Sequence, residues 1–356
     1  MGEDILLFLK ERGKIVDSVL EKYLPRRIDE KYINRAFGKP RYAYNIEALN
    51  KSLSEPIWDF LDRGGKRFRP VLFLLLVEAL GGDAEKVKDF CSVLEFLHNG
   101  SIMVDDIEDD SDFRRGKETT HKIYGIDIAI NAGNFMYFIP FLSYFEHRKD
   151  YNSEIMLRAY EATLQEMIRI HAGQGTDIVW HKGMANADNI TEKEYLQMCA
   201  YKTGVLLRLA ARLAVIFTNG SKEMEEKFGR FAEAIGLGFQ IQDDILNINP
   251  SKEWGKEIGD DINEGKRTLL VIHTLRNANK KDRERLLEIL NMHTKDKKLI
   301  MEAIEIIKKY GSIEYAKNFA REMISKAWDD VKDMLQEGEA KKRIKALVKF
   351  LVEREV

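Results

Sequence analysis

Two acidic segments carry the residues whose spacing most invites chemistry. The first, Val104-Asp105-Asp106-Ile107-Glu108-Asp109-Asp110-Ser111-Asp112, sets six acidic residues within eight positions. Such a run repels itself unless water or cations offset it. It follows the apolar stretch 90–104, which reads as a helix, so Asp105 and Asp109 stand four apart on one face. Hard divalent ions such as magnesium choose carboxylate oxygens, commonly one or two of them together with substrate phosphates. The second segment, Gly238-Phe239-Gln240-Ile241-Gln242-Asp243-Asp244-Ile245-Leu246-Asn247, interrupts an apolar helix with two aspartates. A buried carboxylate is costly unless paired or metal-bound. Gln240, Asp243, Asp244 and Asn247 share one helix side at steps of three and four. A solvated acidic turn and a polar core network are the bland alternatives for the two segments.

Basic clusters alternate with these acids. Arg63-Gly64-Gly65-Lys66-Arg67-Phe68-Arg69-Pro70 puts four cations beside two glycines, and Arg114-Arg115-Gly116-Lys117 follows the first acidic run. Lys202-Thr203-Gly204 lies in an apolar stretch, and Gly255-Lys256 and Gly265-Lys266-Arg267 follow the second pair. Arginine forks grip phosphate oxygens in pairs, whereas lysine acts as a point charge. Each cluster alone reads as surface. Their alternation with acids suited to a metal ion points to a phosphorylated ligand.

The elements that must position these groups read as helices. Prolines are confined to six positions, and 141–249 and 251–356 hold none, which permits long helices. Met156, Tyr160, Leu164 and Met167 form one apolar stripe, and Ala316, Ala320, Met323, Ala327, Val331 and Met334 another. No period-2 strand pattern or strong hairpin pair stands out. The expected fold is all-α, a single large helical bundle over 46–356 preceded by an N-terminal helical extension, 1–45. The charge of −2 over 356 residues excludes a global basic field for nucleic acid. Cys91 and Cys199 lie in apolar surroundings and suit a reducing cytoplasm. The longest apolar run, Val71–Val77, is too short to span a bilayer.

Taken in order from about Arg63 to Arg267, these segments resemble the trans-isoprenyl diphosphate synthases. The DDxx(xx)D and RRG signature is similar to Asp105–Asp109 with Arg114-Arg115-Gly116, and the second aspartate motif to Asp243–Asn247. The GGKRxRP, KTG, GQxxD and GxDxxEGK signatures are similar to Gly64–Pro70, Lys202–Gly204, Gly173–Asp177 and Gly259–Lys266. The resemblance implies a helical bundle around a deep cavity, a homodimer, and magnesium, three ions per site. It implies catalytic roles for Asp105, Asp106, Asp109, Lys202, Asp243 and Asp244. Asp105, Asp106, Asp109 and Asp243 would meet the metal, with Asp106 and Asp244 in support. Arg114, Lys202, Thr203, Gln240, Lys256 and Lys266 would hold an allylic diphosphate. Lys66, Arg69, His98 and Arg115 would hold isopentenyl diphosphate, and Gln174 and Asp177 would complete the polar shell.

The implied reaction is head-to-tail condensation giving geranylgeranyl diphosphate or a somewhat longer chain. A mixed farnesyl/geranylgeranyl product range and a non-catalytic regulatory subunit are the other readings. A terpene cyclase would have no use for the Lys66, Arg69 and Arg115 set. Asn247 stands where many members carry a third aspartate. Gly100, with Leu97 and Ser101, falls where product length is expected to be set. Its missing side chain means either room for a longer tail or a close helix crossing.

Overall fold

The computed structural model describes residues 2–186, 188–249 and 258–353. Lys256 lies outside them. Helices dominate, as expected, and the residues gather into two compact units.

The first unit comprises 1–161 with 213–220. Its first helix, α1 (Gly2–Tyr23), buries Ile5, Leu9, Val16, Val19 and Leu20, an apolar stripe at helical spacing. That stripe packs against α2 (Phe68–Ala79) and α3 (Cys91–Glu108). The apolar run Val71–Val77 is the middle of α2 and is buried on every side, as befits a core helix. The carboxylate of Asp89, just before α3, accepts hydrogen bonds from Lys22 and from Tyr23 Oη at 3.0 Å, and lies 2.7 Å from His147 Nε2. Polar contacts thereby close the end of α1.

After α3 the chain makes a short hairpin, β1 (Phe113–Arg114) and β2 (Lys117–Glu118). The sequence pattern gave no warning of it. Its two turn residues, Arg115 and Gly116, have φ of 53° and 77°, the double left-handed conformation of a primed turn. Helix α4 (Ile126–Phe138) then packs along α3. Residues 126–147 are long and apolar enough, by length and composition only, to cross a membrane, but half of their most apolar 18 residues are buried inside the protein.

Helix α5 (Ser153–His181) starts in the first unit, and its later residues belong to the second, 162–212 with 221–356. Here the apolar stripe departs from expectation: Met156 is buried but Leu164 is 50% exposed. The inward face instead carries Ala159, Ala162, Thr163 and the fully buried Glu166. A carboxylate can sit there because Arg208 and Arg212 reach it at 2.7 and 2.6 Å. Arg212 also pairs at 2.8 Å with buried Glu225.

Next come α6 (Glu192–Cys199), begun by a Thr191/Glu194 capping box, and α7 (Val205–Phe217). One wide helical turn, Ala200–Gly204, joins them. Such π-type turns recur at functional positions, and this one presents Lys202 and Thr203. Helix α8 (Lys222–Ile248) is capped by Ser221 and carries the second acidic pair near its end. It packs on α10 (Ser312–Asp329) and α11 (Glu339–Glu353), while α9 (Leu269–Asn277) lies against α10. The other predicted stripe buries Ala316 and Ala320, but α10 stops at Asp329, so Val331 and Met334 lie beyond it.

Candidate functional site

In the first unit the acidic motif occupies the C-terminal end of α3, with Asp109 as its cap. This is the negative end of the helix dipole, where each carboxylate is disfavoured by about 0.3–1 kcal/mol. The cluster therefore asks for cations. One is supplied internally: Arg114 Nε donates to Asp106 Oδ1 at 2.7 Å. Asp106 is 1% exposed, and burial raises its pKa despite the arginine. Its Oδ2 has no hydrogen-bond partner among the described residues. Asp105 and Asp109 remain partly exposed.

The cationic residues on the same unit also converge on α3. Arg69, in the first turn of α2, brings Nη1 to 3.1 Å from His98 Nε2. A guanidinium can only donate, so Nε2 is the acceptor and the ring is neutral. Burial, then the charges of Arg69 and Arg115, hold the His98 pKa well below its usual value. Arg115, on the hairpin turn, donates to Gly64 O and at 3.2 Å to Asn99 Oδ1. Burial and then Arg67 depress its pKa to about 10. Lys66 is exposed between Gly65 and Arg67.

Gly100 does not provide the room a longer product would need. A Cβ there would sit 2.8 Å from Gly133 O and 2.9 Å from Met136 Cβ, so α4 fills the space. Five residues before Asp105 also places it roughly 140° around the helix. Ser101 is one turn below Asp105 and His98 two turns below. Ser101 is partly exposed and Leu97 is buried.

The second unit assembles the other predicted residues around the wide turn. A Cβ on Gly173 would meet Lys202 N at 2.4 Å, and one on Gly236 would meet Gly204 Cα at 2.5 Å. Only glycine lets α5, the turn and α8 approach this closely. Lys202 Nζ donates to Asp177 Oδ2 at 2.6 Å. Burial raises the Asp177 pKa, but Lys202 and Lys266 outweigh it, and the net shift is downward. Gln174 is partly exposed one turn away. Thr203 Oγ1 donates to Gln240 Oε1 at 2.8 Å, and Gln240 Nε2 to Asp244 Oδ1 at 2.9 Å. Asp243 beside it is partly exposed.

Asp244 is buried, which together with Asp261 raises its pKa to about 7. Its other oxygen accepts from Tyr195 Oη at 2.5 Å. Asn247 Oδ1 accepts from Asp261 N at 3.2 Å, so the residue replacing a third aspartate ties α8 to the segment leading to Lys266. Lys266 pairs with Glu264 and lies 3.6 Å from Asp261.

Tyr195, Glu95 and Asn99 carry no local sequence signal beyond spacing, whereas Asp261 is the aspartate of the Gly259–Lys266 signature. Tyr195 lies two helical turns before Lys202, a spacing that could have suggested it. A separate cavity of about 600 Å³ in the second unit, lined by residues such as Ile190, Ile272, Arg276 and Arg283, meets Arg267 of the last basic segment but none of the expected site residues.

Magnesium's usual oxygen donors are present in both motifs. Among the described residues, no group of three or more His, Cys, Asp or Glu side chains forms a metal cage. Partly exposed carboxylates, with the unsatisfied Asp106 Oδ2, fit an ion whose remaining ligands are substrate phosphates.

Residues 50–342 match the family model described as polyprenyl synthetase. A short chain isoprenyl diphosphate synthase of Methanothermobacter thermautotrophicus is 36% identical over 293 residues, covering 82% of this chain and 87% of that protein. A geranylgeranyl pyrophosphate synthase of Dictyostelium discoideum is 35% identical, covering 83% and 93%. The crystal structure of geranylgeranyl pyrophosphate synthetase from Pyrococcus horikoshii Ot3 superposes with a TM-score of 0.84 at 32% identity, covering 99% of each chain.

Proposed function

The chain belongs to the polyprenyl synthetase family, and from that premise we propose that it condenses isopentenyl diphosphate head-to-tail with an allylic diphosphate. The product is geranylgeranyl diphosphate or a somewhat longer chain. The observation that carries the reading is the layout of one helix. Along α3, His98 with its partner Arg69 precedes the carboxylate of Asp105 by two turns and that of Asp109 by three. A subsite for an anion thus adjoins a site for cations.

When bound, magnesium offsets the charge of the departing diphosphate and so helps the allylic carbon–oxygen bond to ionise. Asp105, Asp109 and Asp243 would offer it oxygens, with Asp106 and Asp244 in support. Lys202, Arg114 and Lys266 hold the allylic diphosphate, aided by Thr203 and Gln240, and Asp177 fixes Lys202. Lys66, Arg69, His98 and Arg115 hold isopentenyl diphosphate, neutral His98 contributing a hydrogen bond and the arginines their charge. The double bond of isopentenyl diphosphate attacks the allylic cation, and the released diphosphate accepts the proton then lost. These residues contribute positioning and charge rather than a nucleophile.

The same reading includes a cytoplasmic homodimer. Leu157, Leu164 and Ile168 lie exposed along one face of α5 and suit a second copy.

The test is incubation of purified protein with magnesium, isopentenyl diphosphate and farnesyl diphosphate. Diphosphate release and a product five carbons longer are expected, both abolished by a chelator. Absence of both with folded protein would overturn the reading and leave the regulatory-subunit alternative.

A further inference from the structure

Arg67 belongs to the basic loop, yet it faces away from solvent. Its backbone is left-handed, with φ of 48°, a conformation unfavourable for any residue with a Cβ. Three contacts hold its guanidinium there. Nε donates to Asp17 Oδ1 of α1 at 3.0 Å, Nη1 to Glu95 Oε1 of α3 at 2.8 Å, and Nη2 to Leu61 O at 3.1 Å.

Glu95 is 2% exposed, and the same oxygen accepts from Asn99 Nδ2 at 2.7 Å. That Nδ2 also donates to Glu95 O at 2.7 Å. An ionised carboxylate offers no donor, so Glu95 fixes which end of the Asn99 amide points toward it. The amide oxygen must then face the other way. It meets Arg115 Nη2 at 3.2 Å, while Gly64 O takes Nη1 and the Phe60 ring lies 5.2 Å from the guanidinium carbon. The chain Asp17–Arg67–Glu95–Asn99 therefore ends on Arg115 and sets the angle of its fork.

We propose that Arg67, Glu95 and Asn99 are positioning residues for isopentenyl diphosphate, acting through Arg115, and that Asp17 makes α1 part of that arrangement. The inference rests on the reading of Arg115 as a ligand of that substrate. It gives residues 1–45 a task in substrate binding as well as in packing. A guanidinium binds a diphosphate in pairs of hydrogen bonds only when its plane is aligned. Loosening the Asn99 contact leaves the charge in place but spoils the alignment.

The experiment measures steady-state kinetics of full-length protein with magnesium, varying each substrate in turn. Asn99→Ala is expected to raise KM for isopentenyl diphosphate about tenfold, the size of one lost charge-assisted contact. Its kcat and its KM for farnesyl diphosphate should stay near the parent values. Asp17→Asn, at a half-exposed end of the chain, should raise the same KM by about threefold; it serves equally if Asn99→Ala fails to fold. In an Arg115→Lys background, Asn99→Ala should have little further effect, since a lysine cannot use the alignment.

An unchanged KM in the folded variants would overturn the inference. So would a matching loss for both substrates, or an equal cost of Asn99→Ala in the Arg115→Lys background. Parent protein that releases no diphosphate and elongates nothing would instead overturn the proposed function.

Discussion

Substituting Gly100 by alanine adds one methyl group where α3 crosses α4. The new carbon would stand 2.8 Å from Gly133 O and 2.9 Å from Met136 Cβ, well inside ordinary contact. Both obstacles belong to, or lie next to, the backbone of α4, so neither can swing aside as a flexible side chain would. Overpacking of this kind costs about 1–3 kcal/mol. Alanine also stabilises a helix by about 1 kcal/mol relative to glycine, which would mask part of the cost.

Gly175 provides the reference. It too is helical, on α5, and nothing lies within 4 Å of a Cβ built there. The propensity gain is common to both substitutions and cancels between them. Gly175→Ala should therefore stabilise by about 1 kcal/mol, and Gly100→Ala should fall about 1–3 kcal/mol below it. Urea unfolding followed by circular dichroism, with equal slopes confirmed, gives the difference. If Gly100→Ala proved as stable as Gly175→Ala, the space beside Gly100 would be open and the crossing argument wrong.

Product length should respond on the other face of α3. Ser101→Phe, one turn below Asp105, is expected to shift products toward chains one isoprene unit shorter, read by chromatography of the dephosphorylated prenols. Asp105→Ala and Asp243→Ala should each lower kcat by about 100-fold or more while circular dichroism stays unchanged; full activity in either would remove that motif from the reaction. Asp89→Asn should cost about 1.5–3 kcal/mol of stability near pH 7, since it loses charge-assisted bonds from Lys22 and His147. Burial raises the Asp89 pKa, but bonds from Lys22, His147 and Tyr23 outweigh it and leave it below 3.8. A carboxylate with a depressed folded pKa stabilises above its unfolded pKa, and that stabilisation disappears as pH falls through the folded one. The variant and parent curves should therefore converge below about pH 4; a constant gap down to pH 2 would contradict this.

The helical architecture was legible because proline is confined to a few places and the apolar residues recur at helical steps. The acid and basic motifs were legible because charge is rarely placed inside apolar helices without a partner. What escaped notice depends on pairs distant in the chain. Asp17 and Arg67 are 50 residues apart, and Tyr195 and Asp244 are 49 apart; no local pattern announces either. The stripe through Leu164 misled because the inward position next to it is Glu166, a residue ordinarily assigned to solvent. Two arginines contributed by α7, with Arg169 one turn further along α5, make its burial tolerable. At Gly100 the sequence allowed two readings, and the position of α4 decides between them.

The largely buried group formed by Glu166, Arg208, Arg212 and Glu225 gives this protein a particular relation to heat. Hydration of charged groups carries a strongly negative entropy, so removing them from water becomes less costly as temperature rises. Apolar burial shows no comparable gain. An apolar replacement of the whole group could match or exceed it at room temperature, yet would lose ground steadily on warming. The cluster is thus worth most in a hot environment, where its attraction remains and the competing pull of water has weakened.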